Sequence, residues 1–282
     1  MLKLVIPKGH IFQNVTELLD EAGISLSING RNYIPYISDP EIEAKIMKPQ
    51  NIGQLVELGA HDAGFTGLDW IEETGSQVEE IMRLGFDAVK IVAAVPEGVS
   101  VLSLETKKVI VATEYVRIAS RYLQKKGYDY FLIRTHGATE AYPPQDADMI
   151  IDNVASGKTL QDHNLKIVDE IMDSSTCFIA NREAVRDKWK RTKIDELEML
   201  FKAVLNARDR VMLEMNVSGS RLEEIVRTLP CMRAPTVSPL YREEGFAVKA
   251  AVPKKDIVKL IPRLKKLGAT DILEYDFTKV IA

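Results

Sequence analysis

Cysteine is nearly absent: Cys177 and Cys231 are the only two in 282 residues. They lie far apart and without ligand-like spacing. That excludes a disulfide framework and a structural zinc site, and makes a reducing compartment the expectation. Histidine is scarce as well, and His10, His61, His136 and His163 form no spaced metal motif. There is no excess of positive charge. The formal net charge is −4, so nothing in the balance favours nucleic acid as a partner. No apolar run reaches membrane-spanning length, and Met1–Pro7 reads as a strand rather than a signal peptide. A cytoplasmic protein without a membrane partner is the expectation. The length suggests about two domains, with three small ones also possible.

What the chain does have is concentrated in residues 147–165, ADMIIDNVASGKTLQDHNL. An apolar strand, Met149–Ile151, is flanked by Asp148 and Asp152. A small-residue turn, Ala155-Ser156-Gly157, follows and leaves through Lys158-Thr159-Leu160 into a short polar segment. Such a loop can point backbone N–H groups at an anion. Gly157 permits close approach, Ser156 and Thr159 supply hydroxyls, and Lys158 adds charge. A P-loop needs glycine five residues before Gly157, and that position is Asp152, so an NTPase loop is excluded. Carboxylates ahead of a phosphate loop suit a ribose 5-phosphate, its hydroxyls on the acids. On its own the stretch also fits an ordinary strand–turn–helix.

Taken in order, Leu2–Ile6 reads as a buried strand ending at Pro7-Lys8-Gly9. Lys8 then stands at a strand's C-terminal end, where open α/β sheets place ligands. Asn14 is a candidate N-cap for a helix ending at Gly23. Residues 29–36 read as a loop entering a strand. Strands are expected at 42–48, 63–67, 89–95, 108–113, 131–134, 149–151, 167–172 and 177–180, with helices at 52–58, 70–75 and 114–126, an alternation typical of parallel sheets. Residues 183–213 are long, charged and helical. Beyond Arg210 the pattern becomes βαββαβ, the ferredoxin-like order, with strands at 211–217, 235–240, 246–252 and 272–275. Pro262 falls inside the last helical stripe and is expected to kink or interrupt it.

Across nearly the whole chain these pieces resemble the long form of the ATP phosphoribosyltransferase family, the first enzyme of histidine biosynthesis. The resemblance is carried by Pro7-Lys8-Gly9, Asp62–Asp69, Leu84–Phe86 leading into Ala93–Pro96, Val111–Tyr115, Gly137–Glu140, Asp148–Leu160, Pro235–Leu240 and Gly268-Ala269. The segment Pro235–Leu240 belongs to the C-terminal module that marks the long form. Departures from the family pattern are His10 for arginine, Asn51 for a frequent aspartate, Asn153 for an apolar residue, Ala155 for serine and Ser156 for threonine.

The resemblance implies an α/β fold with a two-lobed, periplasmic-binding-protein-like catalytic part and a C-terminal ferredoxin-like (ACT-like) regulatory domain. Lobe I would take residues 1–90 plus 180–210, lobe II 91–179, and the regulatory domain 211–282. It implies transfer of the phosphoribosyl group of phosphoribosyl pyrophosphate to N1 of ATP, with Mg²⁺ on the phosphates and no metal ligands assigned. Asp148 and Asp152 would take the ribose hydroxyls, and Ala155, Ser156, Gly157, Lys158 and Thr159 the 5′-phosphate. Lys8, Arg31 and Lys48 would hold polyphosphate, and Glu140 would contact the ribose or a basic neighbour. Histidine would act as feedback inhibitor through Asn216, Thr236, Ala269 and Thr270, in a homo-oligomer from dimer to hexamer. Two rivals are a bilobal binding protein without chemistry and an amino-acid-sensing regulator. The first leaves the acid-plus-loop motif unexplained. The second would need a DNA-binding segment that the sequence does not contain.

Overall fold

The computed structural model describes residues 1–28, 33–104 and 106–281. By packing, the chain divides into a first unit of Met1–Glu17 with Ile24–Asp195 and a second of Leu18–Gly23 with Glu196–Ala282. The first unit holds two five-stranded sheets. One runs in the order Ile42–Met47, Leu2–Pro7, Ala63–Gly67, Thr176–Ala180, Glu79–Arg83. The other runs Leu165–Ser174, Val89–Pro96, Met149–Val154, Val109–Thr113, Tyr130–Arg134. The chain thus builds most of one lobe, crosses after Arg83 to build the other, and returns at Ser175.

The sheets are mixed, not parallel throughout. Leu2–Pro7 is parallel to both its neighbours, and so is Val109–Thr113. Thr176–Ala180 and Val89–Pro96 are antiparallel to theirs. In each sheet one strand beside a crossing, Thr176–Ala180 or Val89–Pro96, runs against all the others, a consequence of one chain serving two lobes. Val89–Pro96 lies between two other strands and is covered on both faces from 91 to 95, which explains the unbroken apolar run there. Ile91, Ala93 and Val95 enter one core cluster, while Val92 and Ala94 enter another, following the two-residue period of a strand.

Local expectations fail in three places. The first helix is His10–Ala22, starting right after Gly9, so Asn14 lies inside it. The Asn14 side chain donates to Asp87 Oδ1 at 2.7 Å rather than capping. Glu79–Arg83 forms an edge strand that the charged sequence did not announce. The helix Ile257–Lys266 runs through Pro262 without interruption. The carbonyl that Pro262 leaves without a donor belongs to Val258, whose side chain is 83% exposed, so water can take it.

The second unit contains a four-stranded antiparallel sheet in the order Thr236–Pro239, Phe246–Pro253, Arg210–Val217, Thr270–Asp276. With helices Leu222–Thr228 and Ile257–Lys266 it completes the βαββαβ arrangement. Alternation in Arg210–Val217 turns Val211, Leu213, Met215 and Val217 into a core with Ile225, Leu260 and Leu264 of the helices. Met212, Glu214 and Asn216 fall on the other face.

Candidate active site

Two adjoining cavities open in the first unit. The smaller, about 370 Å³, is walled by the turn that follows Met149–Val154. It gathers Asp152, Ala155, Ser156, Gly157 and Thr159 with Glu140 and Glu114. Gly157 sits at φ +78° and starts the helix Lys158–Asp162. A Cβ there would meet only Val154 Cγ1 at 3.9 Å, so φ and not space demands the glycine. Among the described residues nothing accepts from the backbone N–H groups of Ser156, Gly157 and Thr159. The turn therefore presents free donors beside hydroxyls, an anion cradle.

Asp152 lies in the second half of its strand, two residues before its end at Val154. Burial, opposed by the Thr139 hydroxyl and the Asn153 amide and reinforced by the charges of Glu114 and Glu140, pushes its carboxyl up to about 6. Glu140 stands in the short turn Thr139–Ala141, entered through Ala138 at φ +50°. The Thr139 hydroxyl contacts that of Thr135 at 2.9 Å.

The larger cavity, about 430 Å³, is lined by Lys8, His10, Lys48, Asp69, Trp70, Glu114, Tyr115 and Asn153 among others. Lys8 and Lys48 follow Pro7 and Met47, which are paired in register at the ends of adjacent parallel strands. Sheet geometry thus brings two lysines 40 residues apart to one edge of the cavity. Lys8 Nζ lies 5.1 Å from the Tyr33 ring centre. A hydrogen-bonded chain runs along this wall. Ser174 Oγ donates to Asp69 Oδ1 at 2.6 Å and Tyr115 Oη donates to Asp69 Oδ2 at 2.7 Å. Asn153 Nδ2 donates to Tyr115 Oη at 2.9 Å. Burial, then the Asp69 charge and its hydrogen bond, push the Tyr115 phenol up. Its ring stacks on Trp70 at 4.7 Å.

Not every expected residue joins these cavities. Asp148 stands just before Met149, at the opposite end of the strand from the turn. Its Oδ1 is engaged by Lys107 Nζ at 2.5 Å and its Oδ2 by the Ile110 amide at 2.9 Å. Burial works to raise its pKa, but these two partners together hold it below the ordinary carboxylate value. It fastens two strands and is no lining residue. Lys158 is exposed beside the turn and lines neither cavity. Arg31 lies outside the described residues. Conversely Glu114, Tyr115 and Asp69 were not singled out from sequence. The rule that pointed to Lys8, the loop after a strand's C-terminal end, applies equally to Glu114 after Val109–Thr113.

In the second unit, Asn216 is in register with Thr270, and its Nδ2 donates to Asp271 Oδ2 at 3.0 Å. Ala269 is buried beside them. Thr236 is on the outer strand, paired with Lys249, two strands from Asn216.

Residues 48–203 match the family model HisG, ATP phosphoribosyltransferase, and residues 207–279 match HisG, C-terminal domain. The ATP phosphoribosyltransferase of Pelodictyon phaeoclathratiforme is 40% identical, covering 100% of this chain and 98% of that one. That of Pelotomaculum thermopropionicum is 38% identical over 99% of each. Among solved structures, the ATP phosphoribosyl transferase (HisG:HisZ) complex from Thermotoga maritima matches with a TM-score of 0.64 and 25% identity, over 71% of this chain and 98% of that one.

Proposed function

The chain belongs to the ATP phosphoribosyltransferase family in its long form, an enzyme of histidine biosynthesis, and from that premise we propose how its residues carry the reaction. The N1 atom of ATP attacks the anomeric carbon of phosphoribosyl pyrophosphate. The bond from that carbon to the pyrophosphate oxygen breaks, and the electron pair leaves with pyrophosphate. The sugar passes through an oxocarbenium-like state, so the protein's task is alignment and charge management rather than proton removal. The smaller cavity takes the ribose 5-phosphate: the amides and hydroxyls of residues 155–159 hold the phosphate, and Asp152 with Glu140 receives the ribose hydroxyls. Lys8 and Lys48 bind the polyphosphate chains. Asp148 is left out of this division because its oxygens are already occupied.

The observation that carries this reading is the open amide cradle lying in one cavity with Asp152 and Glu140, next to a second cavity edged by two lysines. Mg²⁺ fits as an ion borne by the substrate's phosphate oxygens. Among the described residues no group of three carboxylate, thiol or imidazole ligands is arranged to hold one. Asp152, raised by burial and further by neighbouring Glu114 and Glu140, is the carboxylate that a cation would relieve. When bound, Mg²⁺ would neutralise charge on the leaving pyrophosphate.

The C-terminal sheet is read as the sensor of histidine, the end product, in a homo-oligomer. The test of the catalytic half is direct. The purified chain with ATP, phosphoribosyl pyrophosphate and Mg²⁺ should release pyrophosphate only when both substrates are present. Release with either substrate alone, or none with both, would defeat the assignment.

A further inference from the structure

We infer that Asn153 reads the base of the nucleotide: its side-chain oxygen accepts from the exocyclic amino group of adenine and so selects ATP over nucleotides with a 6-oxo base. With the ribose 5-phosphate in the smaller cavity, the larger one, edged by Lys8 and Lys48, is left for the nucleotide, and the inference rests on that reading. Glu114 and Asn153 are the two residues that line both cavities among the described ones, so they stand where base and sugar must meet. Of the two, Asn153 has its side chain tied by a hydrogen bond.

The tie fixes which way the amide faces. Ser174 and Tyr115 both donate to the Asp69 carboxylate, which has only acceptors to offer. The single phenolic proton of Tyr115 is therefore committed to Asp69. What Tyr115 Oη can still do is accept, and the group that meets it at 2.9 Å must be the amide nitrogen of Asn153. A flipped amide would set two acceptors against each other. The Asn153 Oδ1 is left as a fixed acceptor, with no donor to it among the described residues. Asp69 is buried and Tyr115 fully so, which keeps water from competing for the inner links of the chain, while Asn153 itself is exposed towards the cavities.

A fixed acceptor at that wall needs a donor from the ligand. Adenine carries one on the carbon next to N1, the reacting atom. Hypoxanthine and guanine carry an oxygen there and a proton on N1, so they offer repulsion and a blocked nucleophile. Holding the amino group would orient N1 without any basic side chain. Asp69 and Tyr115 are then positioning residues, acting through Asn153.

Calorimetry with the full chain, ATP and inosine triphosphate, tests this, with pyrophosphate release measured in parallel. The native chain should bind ATP at least about tenfold tighter than inosine triphosphate, since a polar site penalises the mismatched group. Asn153→Leu should bring the two affinities within about threefold, because the acceptor is gone. Tyr115→Phe keeps the stack on Trp70 and removes the tie, so it should narrow the gap partway. Asn153→Ala, which also lacks the acceptor, serves in the same way if the leucine variant melts early. Equal affinities in the native chain, or an undiminished ATP preference in folded Asn153→Leu, would overturn the inference while leaving turnover with ATP intact. Failure to bind ATP at all would overturn the reading of the cavity along with it.

Discussion

Asp152 pulls stability and activity in opposite directions. Its carboxyl, ordinarily near 3.8, is raised to about 6 by burial, with the charges of Glu114 and Glu140 adding to the rise. Stability linked to a raised carboxyl is complete below the ordinary value and is lost as the pH climbs through the folded value. At pH 8 the native chain therefore carries a buried charge at a cost. Asp152→Asn removes that cost while keeping an acceptor for the Asn153 amide. Thermal melts should show the variant above the native chain at pH 8 and level with it near pH 4. A variant that melts lower at both pH values would mean that the charge is not the source of the shift. Turnover should move the other way. A charged hydrogen bond contributes roughly 1.5–3 kcal/mol, so kcat/KM should fall about ten- to a hundredfold. The acid limb of the native profile, near pH 6, should vanish in the variant.

The turn 155–159 makes its prediction as an element. The glycine at φ +78° lets the chain turn with its amides outward, and a β-branched residue at that φ is strained whatever space surrounds it. Gly157→Val should weaken phosphoribosyl pyrophosphate binding at least about tenfold, as the cradle is lost or blocked. Calorimetry with unchanged affinity would free the turn of its phosphate role. This turn was legible in the sequence because its chemistry is local: acid, small residues, glycine and hydroxyls within ten positions. The strands and the βαββαβ order were legible for the same reason, since periodicity and turn residues are short-range signals. What was not legible depends on pairing over distance. Asp148 and Asp152 look equivalent in sequence, yet four residues along a strand put one at the cavity and the other at Lys107. The chain Ser174–Asp69–Tyr115–Asn153 joins four separate elements, and no window contains it. The mixed sheets follow from where the chain crosses between lobes, which periodicity does not encode.

At the scale of the whole molecule the question is how a sheet that holds no substrate could govern one that does. Thr236, Lys249, Glu214 and Asn216 lie on the sheet face opposite the helices of the C-terminal domain, with Lys249 and Glu214 paired at 3.1 Å between the two polar ends. Two strand spacings, about 10 Å, separate the Thr236 and Asn216 strands. An extended histidine with a hydrogen bond at each end can bridge such a gap. An inhibitor acts only through its differential affinity for two states. Shifting an even mixture of active and inactive states to nine parts in ten inactive takes about 1.3 kcal/mol, within the usual range of allosteric coupling. Histidine should therefore inhibit the full chain without competing for either cavity, and inhibition should persist at saturating ATP. Thr236→Ala removes one neutral hydrogen bond, so the half-inhibitory histidine concentration should rise roughly three- to tenfold. Activity titrated against histidine in both proteins, with sedimentation run alongside, checks this. An unaltered inhibition curve in the variant would remove Thr236 from the site. A native chain indifferent to histidine would leave the C-terminal sheet a structural module, or a sensor of another ligand.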